Sequence, residues 1–109
     1  MRVAIPTGVG GLRDVVHESL VRAKTFTLVE LENGKTKRVE VVENPYSTLP
    51  HGAGPKVALF LVNLGVDVLI TRMDCPKGKM ILDSGNVRII KIDGGMTVEK
   101  ALSIPTLRE

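Results

Sequence analysis

The chain has 109 residues, enough for one hydrophobic core and one domain. Hydrophobic residues make up 43% and aromatics only 3%, so the core is aliphatic. The net charge is +3, with 7 basic and 6 acidic groups in residues 1–50 and 8 and 6 in residues 51–109. This even spread lacks the basic stripe of a nucleic-acid binder. Cys75 is the single cysteine, which excludes an internal disulfide. The opening MRVAIPTGV is too short and polar for a signal peptide, and no apolar run approaches ~18 residues. A cytoplasmic protein without membrane contact is expected.

Arg2–Ile5 reads as a buried strand that Pro6 and Gly8 end. Residues 7–24 are irregular, with a helical turn suggested by Leu12, Val15, Val16, Ser19 and Leu20. Thr25–Leu31 alternates as a strand, and Glu32-Asn33-Gly34-Lys35 supplies a hairpin turn. Thr36–Val42 alternates as a strand with one wet face. Residues 44–54 form a loop. Pro55 is placed to open a helix at its first position, with Val57, Ala58, Leu61, Val62 and Leu64 on its apolar face and Gly65 as its stop. Val66–Thr71 is a continuous apolar strand. Pro76 is expected to open a second helix, with Met80 and Ile81 inside and Gly85 at its end. Val87–Ile92 is a fifth strand. Thr97 caps a short helix over Val98–Ser103, which Pro105 ends. Residues 1–105 are read as a single domain and 106–109 as a tail.

The order β-β-β-α-β-α-β-α combines an antiparallel meander with two crossovers. It predicts an α/β fold with a mixed five-stranded sheet and helices on its faces. Strand direction then carries loops 7–24, 44–54, 71–76 and 93–96 to one edge. Open α/β sheets bind ligands outside the carboxyl ends of their strands.

His17-Glu18-Ser19-Leu20-Val21-Arg22-Ala23-Lys24-Thr25-Phe26 resembles a segment of the dinitrogenase iron-molybdenum cofactor biosynthesis family. The family motif there reads His-Phe-Gly-Arg-Ala-x-x-Phe. The resemblance extends through Arg2-Val-Ala-Ile-Pro, Glu43-Asn44-Pro45, the run from His51 to Ala58, Leu64-Gly65-Val66-Asp67-Val68 and Cys75-Pro76. It implies a ribonuclease H-like three-layer fold. It also implies a small stand-alone nitrogenase accessory factor-like domain that binds or carries an iron-sulfur or iron-molybdenum type cluster, or its precursor. Ser19 stands where the motif has histidine, Leu20 and Val21 replace Phe-Gly, and Cys75-Pro76 replaces Gly-Pro.

Candidate residues cluster at the predicted edge. His17, His51 and Cys75 carry imidazole and thiol donors suited to iron, zinc or a cluster, although their spacing matches no metal motif. The plain alternative is two loop histidines and an inert cysteine. A helix start, Arg72 and Lys77 beside Cys75 would stabilise a thiolate, but an inert helix-entry cysteine is the favoured reading. Gly52 and Gly54 offer amides at a helix N-terminus to an anion, with Arg22, Lys56 and Arg72 adding charge. Gly8-Val9-Gly10-Gly11 also offers amides after a strand, but it fits no dinucleotide fingerprint and is better read as a turn. Val3-Ala4-Ile5 carries no carboxylate for nuclease metals, and no Ser-His-Asp relay is present, so no enzyme is expected.

Three readings follow. The first is a non-enzymatic cluster-binding domain, with a cluster donor or acceptor protein as partner. The second is a regulatory or interaction module that has lost the cluster and presents Leu20 and Val21, with a homo-oligomer as one form. The third is a redox or thiol protein built on Cys75.

Overall fold

The computed structural model describes residues 1–104 and Leu107. Strands β1 (Arg2–Thr7), β2 (Thr25–Glu32) and β3 (Lys35–Glu43) form an antiparallel meander. Helix α1 (Ala53–Asn63), β4 (Val68–Thr71), α2 (Lys79–Ser84), β5 (Arg88–Lys91) and α3 (Val98–Ala101) follow. The sheet order is β3-β2-β1-β4-β5, with β4 and β5 parallel to β1. The predicted element order and mixed sheet are therefore observed.

Two cores lie on opposite faces of the sheet, the first aliphatic and the second built around Phe26. Val3, Ile5, Val29 and Ile70 pack on one side with Val98, Ala101 and Leu102 from the α3 region. Ala4, Phe26, Leu28 and Leu69 pack on the other with Val57, Ala58 and Leu61 of α1 and Leu82 of α2. Alternate residues of one strand feed opposite cores, as a period of two requires. Burying each Val, Leu, Ile or Phe among them contributes roughly 1.5–3 kcal/mol. Leu107 falls within the stretch read as a tail, yet it is 1% exposed and packs in the first core. The other three residues of that stretch, and Pro105, lie outside the described residues.

Local chemistry sets the element ends. Asn33 (φ 55°) and Gly34 (φ 78°) make the left-handed pair that a two-residue hairpin needs. Gly65 (φ 74°) ends α1, donating to the Val62 carbonyl while Val66 donates to that of Leu61. That is the Schellman pattern.

Several boundaries differ from the sequence reading. Pro6 lies inside β1, because β4 pairs with β1 only at Val3 and Ala4, and past them the His17 amide takes the Pro6 carbonyl. Residues 7–24 hold no helix, only turns such as those closed by Asp14 N–H to the Gly11 carbonyl and by Ala23 N–H to the Ser19 carbonyl. Strand β3 is exposed on both faces except at Val42, since neither core reaches the sheet edge. Helix α1 begins at Ala53, so Pro55 is its third residue, still within the turn whose amides lack internal partners. Helix α2 begins at Lys79 rather than Pro76. Leu82 is its buried residue and Met80, expected inside, is 82% exposed, whereas Ile81 packs partly buried against the second core as expected.

Candidate functional site

The loops after β1, β3, β4 and β5 meet at one sheet edge, as the strand directions require. They form two clefts. One cleft, about 340 Å³, is bounded by residues 19–22, 50–54 and 73–77. The second lies between Glu18, Arg72, Met73 and residues 91–94.

The walls of the first cleft are tied to each other. Asn44, 4% exposed, donates from Nδ2 to the carbonyls of Val21 (3.1 Å) and Ala23 (2.9 Å). Its Oδ1 accepts from the Tyr46 amide at 3.0 Å, an Asx-turn that starts the 44–54 loop. Arg22 reaches back the other way, donating from one guanidinium nitrogen to the carbonyls of Ser47 (3.1 Å) and Leu49 (2.5 Å). Arg22 lines the cleft, as expected, with one guanidinium nitrogen, Nη1, engaged on the backbone. Ser19, at the motif-histidine position, accepts from the Arg22 amide through Oγ at 3.1 Å and so starts the turn over residues 19–23. Leu20 is 4% exposed and belongs to the second core, so its bulk serves packing rather than an outer surface.

The floor is the start of α1. Gly52 takes a left-handed conformation (φ 75°), and no side chain caps the helix. Ala53 and Gly54 line the cleft with their backbone, and no acidic residue occupies the first turn. Unpaired first-turn amides and the helix dipole favour an anion here. Exposed His51 and Lys77 and half-buried Cys75 complete the wall. A Cβ on Gly78 would lie 3.0 Å from Cys75 Sγ and 3.1 Å from the Gly54 carbonyl oxygen, so thiol and helix start border one small space.

The thiolate alternative is not supported. Cys75 precedes α2 by four residues and sits at no helix terminus. Burial pushes its thiol up, and the Gly78 amide hydrogen bond offsets this only in part.

The remaining candidates lie elsewhere. His17 is outside the cleft lining, and its Nδ1 accepts from the Ser19 amide at 2.9 Å. The set His17, His51 and Cys75 is therefore not assembled. Among the described residues no group of three or more His, Cys, Asp or Glu side chains is placed to hold a metal ion. Lys56 leaves the cleft to lie 6.0 Å from the centroid of the Tyr46 ring. Arg72 lines the second cleft, where its guanidinium covers Gly94.

The glycine nest after β1 is already filled. Asp14 Oδ2 accepts from the amides of Gly8 and Gly10, each at 2.9 Å, and Oδ1 from Val15 at 2.8 Å. Burial raises the Asp14 carboxyl, but hydrogen bonds from Gly10, Val15, Gly8 and Val9 outweigh it and hold it below the ordinary carboxylate value. This loop is internally neutralised, and the α1 start is the better anion site. Asn44, Lys77 and Asp14 were not singled out as site residues. An Asn before Pro in a loop signals Asn44, and the place of Lys77 just after Cys75-Pro76 is its local signal.

A family model described as dinitrogenase iron-molybdenum cofactor matches residues 1–103. The chain belongs to this family. The apo form of the orange protein from Desulfovibrio gigas superposes with a TM-score of 0.83 at 30% identity, covering 93% of this chain and 82% of that one. An NMR structure from Thermotoga, described as a NifB protein, gives 0.74 at 37% identity over 93% and 83%. A curated relative from Methanocaldococcus jannaschii, itself uncharacterised, is 31% identical over 70 residues. That match spans 64% of this chain and 59% of the relative's length. Among the described residues of this family member, no helix is long and apolar enough to cross a membrane.

Proposed function

We propose that this chain is a non-enzymatic carrier of an anionic metal-sulfur cluster, or of a precursor, in the cleft between residues 19–22, 50–54 and 73–77. One observation carries the reading: the uncapped start of α1 faces a cleft that also holds His51, Cys75, Arg22 and Lys77, with Asp74 as its acidic member. Family membership supports a cofactor-assembly role, and the similarity to an orange protein solved in its apo form supports a bound group. The partner would be a cluster donor or acceptor protein.

The donor set fits such a cargo in a particular way. Thiolate and imidazole are suitable ligands for iron. Two side chains are too few to hold a cluster that normally takes four cysteines. The cluster would be held largely as an anion, by amide hydrogen bonds and by Lys77 and Arg22, with Cys75 and His51 as direct ligands. Cys75 must then lose its proton on loading. Burial opposes that step in the empty protein, so loading is expected to strengthen as pH rises.

The test is anaerobic reconstitution with iron, sulfide and molybdate, comparing the wild type with Cys75→Ser and His51→Ala. Coloured, desalting-resistant protein that fades in the variants supports the reading. Colour that is unchanged in both, or absent from the wild type, contradicts it.

A further inference from the structure

Strand β3 closes one side of the sheet, and among the described residues no strand pairs with its outer edge. The Asn44 amide donates to the Lys24 carbonyl at 2.9 Å, which makes residues 24 and 44 a hydrogen-bonded pair. Such pairs alternate along an antiparallel ladder. The register from Thr25↔Glu43 to Glu30↔Arg38 is unbroken. Arg38, Glu40 and Val42 therefore turn their backbone groups toward β2, while Val39, Val41 and Glu43 turn theirs outward. Val39 and Val41 are 38% and 44% exposed and lie on one face, opposite Val29 and Thr27. The bulge that ends this regular stretch lies beyond Arg38, toward the hairpin.

Exposed edges are usually blunted by scattered charge. Here the charges are ordered: Lys35, Lys37 and Arg38 precede Val39, and Glu40 and Glu43 follow it. Reversing the strand against itself makes that order self-complementary. An axis normal to the sheet pairs only residues that share a face, so the register must centre on a residue. Centring on Arg38 sets arginine against arginine. Centring on Glu40 sets glutamate against glutamate. Centring on Val41 places Val39 against Glu43. Centring on Val39 places Arg38 opposite Glu40 twice, in the pair type whose side chains approach most closely. The basic start of each strand, with Lys37 in the bulge, then lies on the side of the other's acidic end.

We propose that two copies of this chain associate through β3, antiparallel and centred on Val39, to form a continuous ten-stranded sheet. The outward amide and carbonyl of Val39 bond to those of the partner's Val39. The interface is isologous. The two clefts lie at opposite ends of the paired strands, so association leaves both open. The proposal does not depend on what the cleft binds.

Sedimentation velocity of the full chain, from micromolar to near-millimolar concentration, tests it. The expected result is a concentration-dependent dimer of twice the 11.8 kDa chain. Arg38→Glu alone and Glu40→Arg alone each raise the dimer Kd by about tenfold or more, because both central pairs become repulsive. An equimolar mixture of the two variants restores dimer, since every central pair is again unlike. Val39→Pro abolishes the dimer while the circular dichroism of the fold persists, because the amide it removes faces outward. A wild type that stays monomeric throughout overturns the proposal. So does a dimer indifferent to Val39→Pro, or a variant mixture that stays monomeric.

Discussion

Asn44 and Arg22 bridge the same two loops in opposite directions, each with its side chain on the backbone of the opposite loop. Asn44 holds the carbonyls of Val21 and Ala23, and Arg22 holds those of Ser47 and Leu49. The Asn44 amide group is buried, whereas Arg22 is exposed.

The two substitutions should therefore differ. Asn44→Ala leaves buried carbonyls unpaired and should cost about 2–3 kcal/mol in urea denaturation. Arg22→Ala should cost about 1 kcal/mol or less, yet weaken cluster retention, because the 44–54 wall is released. Equal losses of stability would argue against this division.

Gly78→Ala tests the seam between α1 and the segment before α2. Its Cβ would lie 2.9 Å from that of Ala58 and 3.1 Å from the Gly54 backbone oxygen, neither of which can swing away. About 1–3 kcal/mol of destabilisation is expected, with displacement of Cys75. A thermal melt and thiol accessibility measured on the same variant check both parts.

The fold was legible because its signals are local and strong. Asn33-Gly34 dictates the hairpin, Gly65 the end of α1, and Thr97 the cap of α3, where Oγ accepts from the Lys100 amide at 3.2 Å. The meeting of four loops at one edge followed from strand direction alone. Individual site roles were less legible, because they depend on where long side chains turn. Arg22, Lys56 and Arg72 carry equal charge in the sequence, yet one clasps a loop, one lies beside Tyr46 and one enters the second cleft. Cys75-Pro76 imitates a helix start, but Gly78 is the cap, since only glycine fits against Ala58 there. Met80 and Leu82 are both apolar helix residues, and tertiary packing chooses Leu82.

Asp14 should govern part of the acid limb of stability. Its folded carboxyl titrates below the unfolded one, so its contribution is present above the unfolded pKa and is lost as pH falls through the folded pKa. Asp14→Ala should flatten stability against pH in that acidic window and release the Gly8–Gly10 amides. Chemical denaturation from neutral pH down into that window measures this. An unchanged slope would contradict it.

Cys75 should behave as a subdued thiol. Because burial raises its pKa, iodoacetamide should alkylate it more slowly at neutral pH than the unfolded chain, with an inflexion displaced to higher pH. An inflexion below that of the unfolded chain would revive the reactive-thiol reading.

The most direct measurement is iron, molybdenum and acid-labile sulfide per chain after anaerobic reconstitution and desalting, with the visible spectrum recorded alongside. The account predicts a stable, coloured complex with at least about one metal per chain, weakened by Cys75→Ser and again by His51→Ala. A colourless, metal-free protein with both residues intact would contradict it.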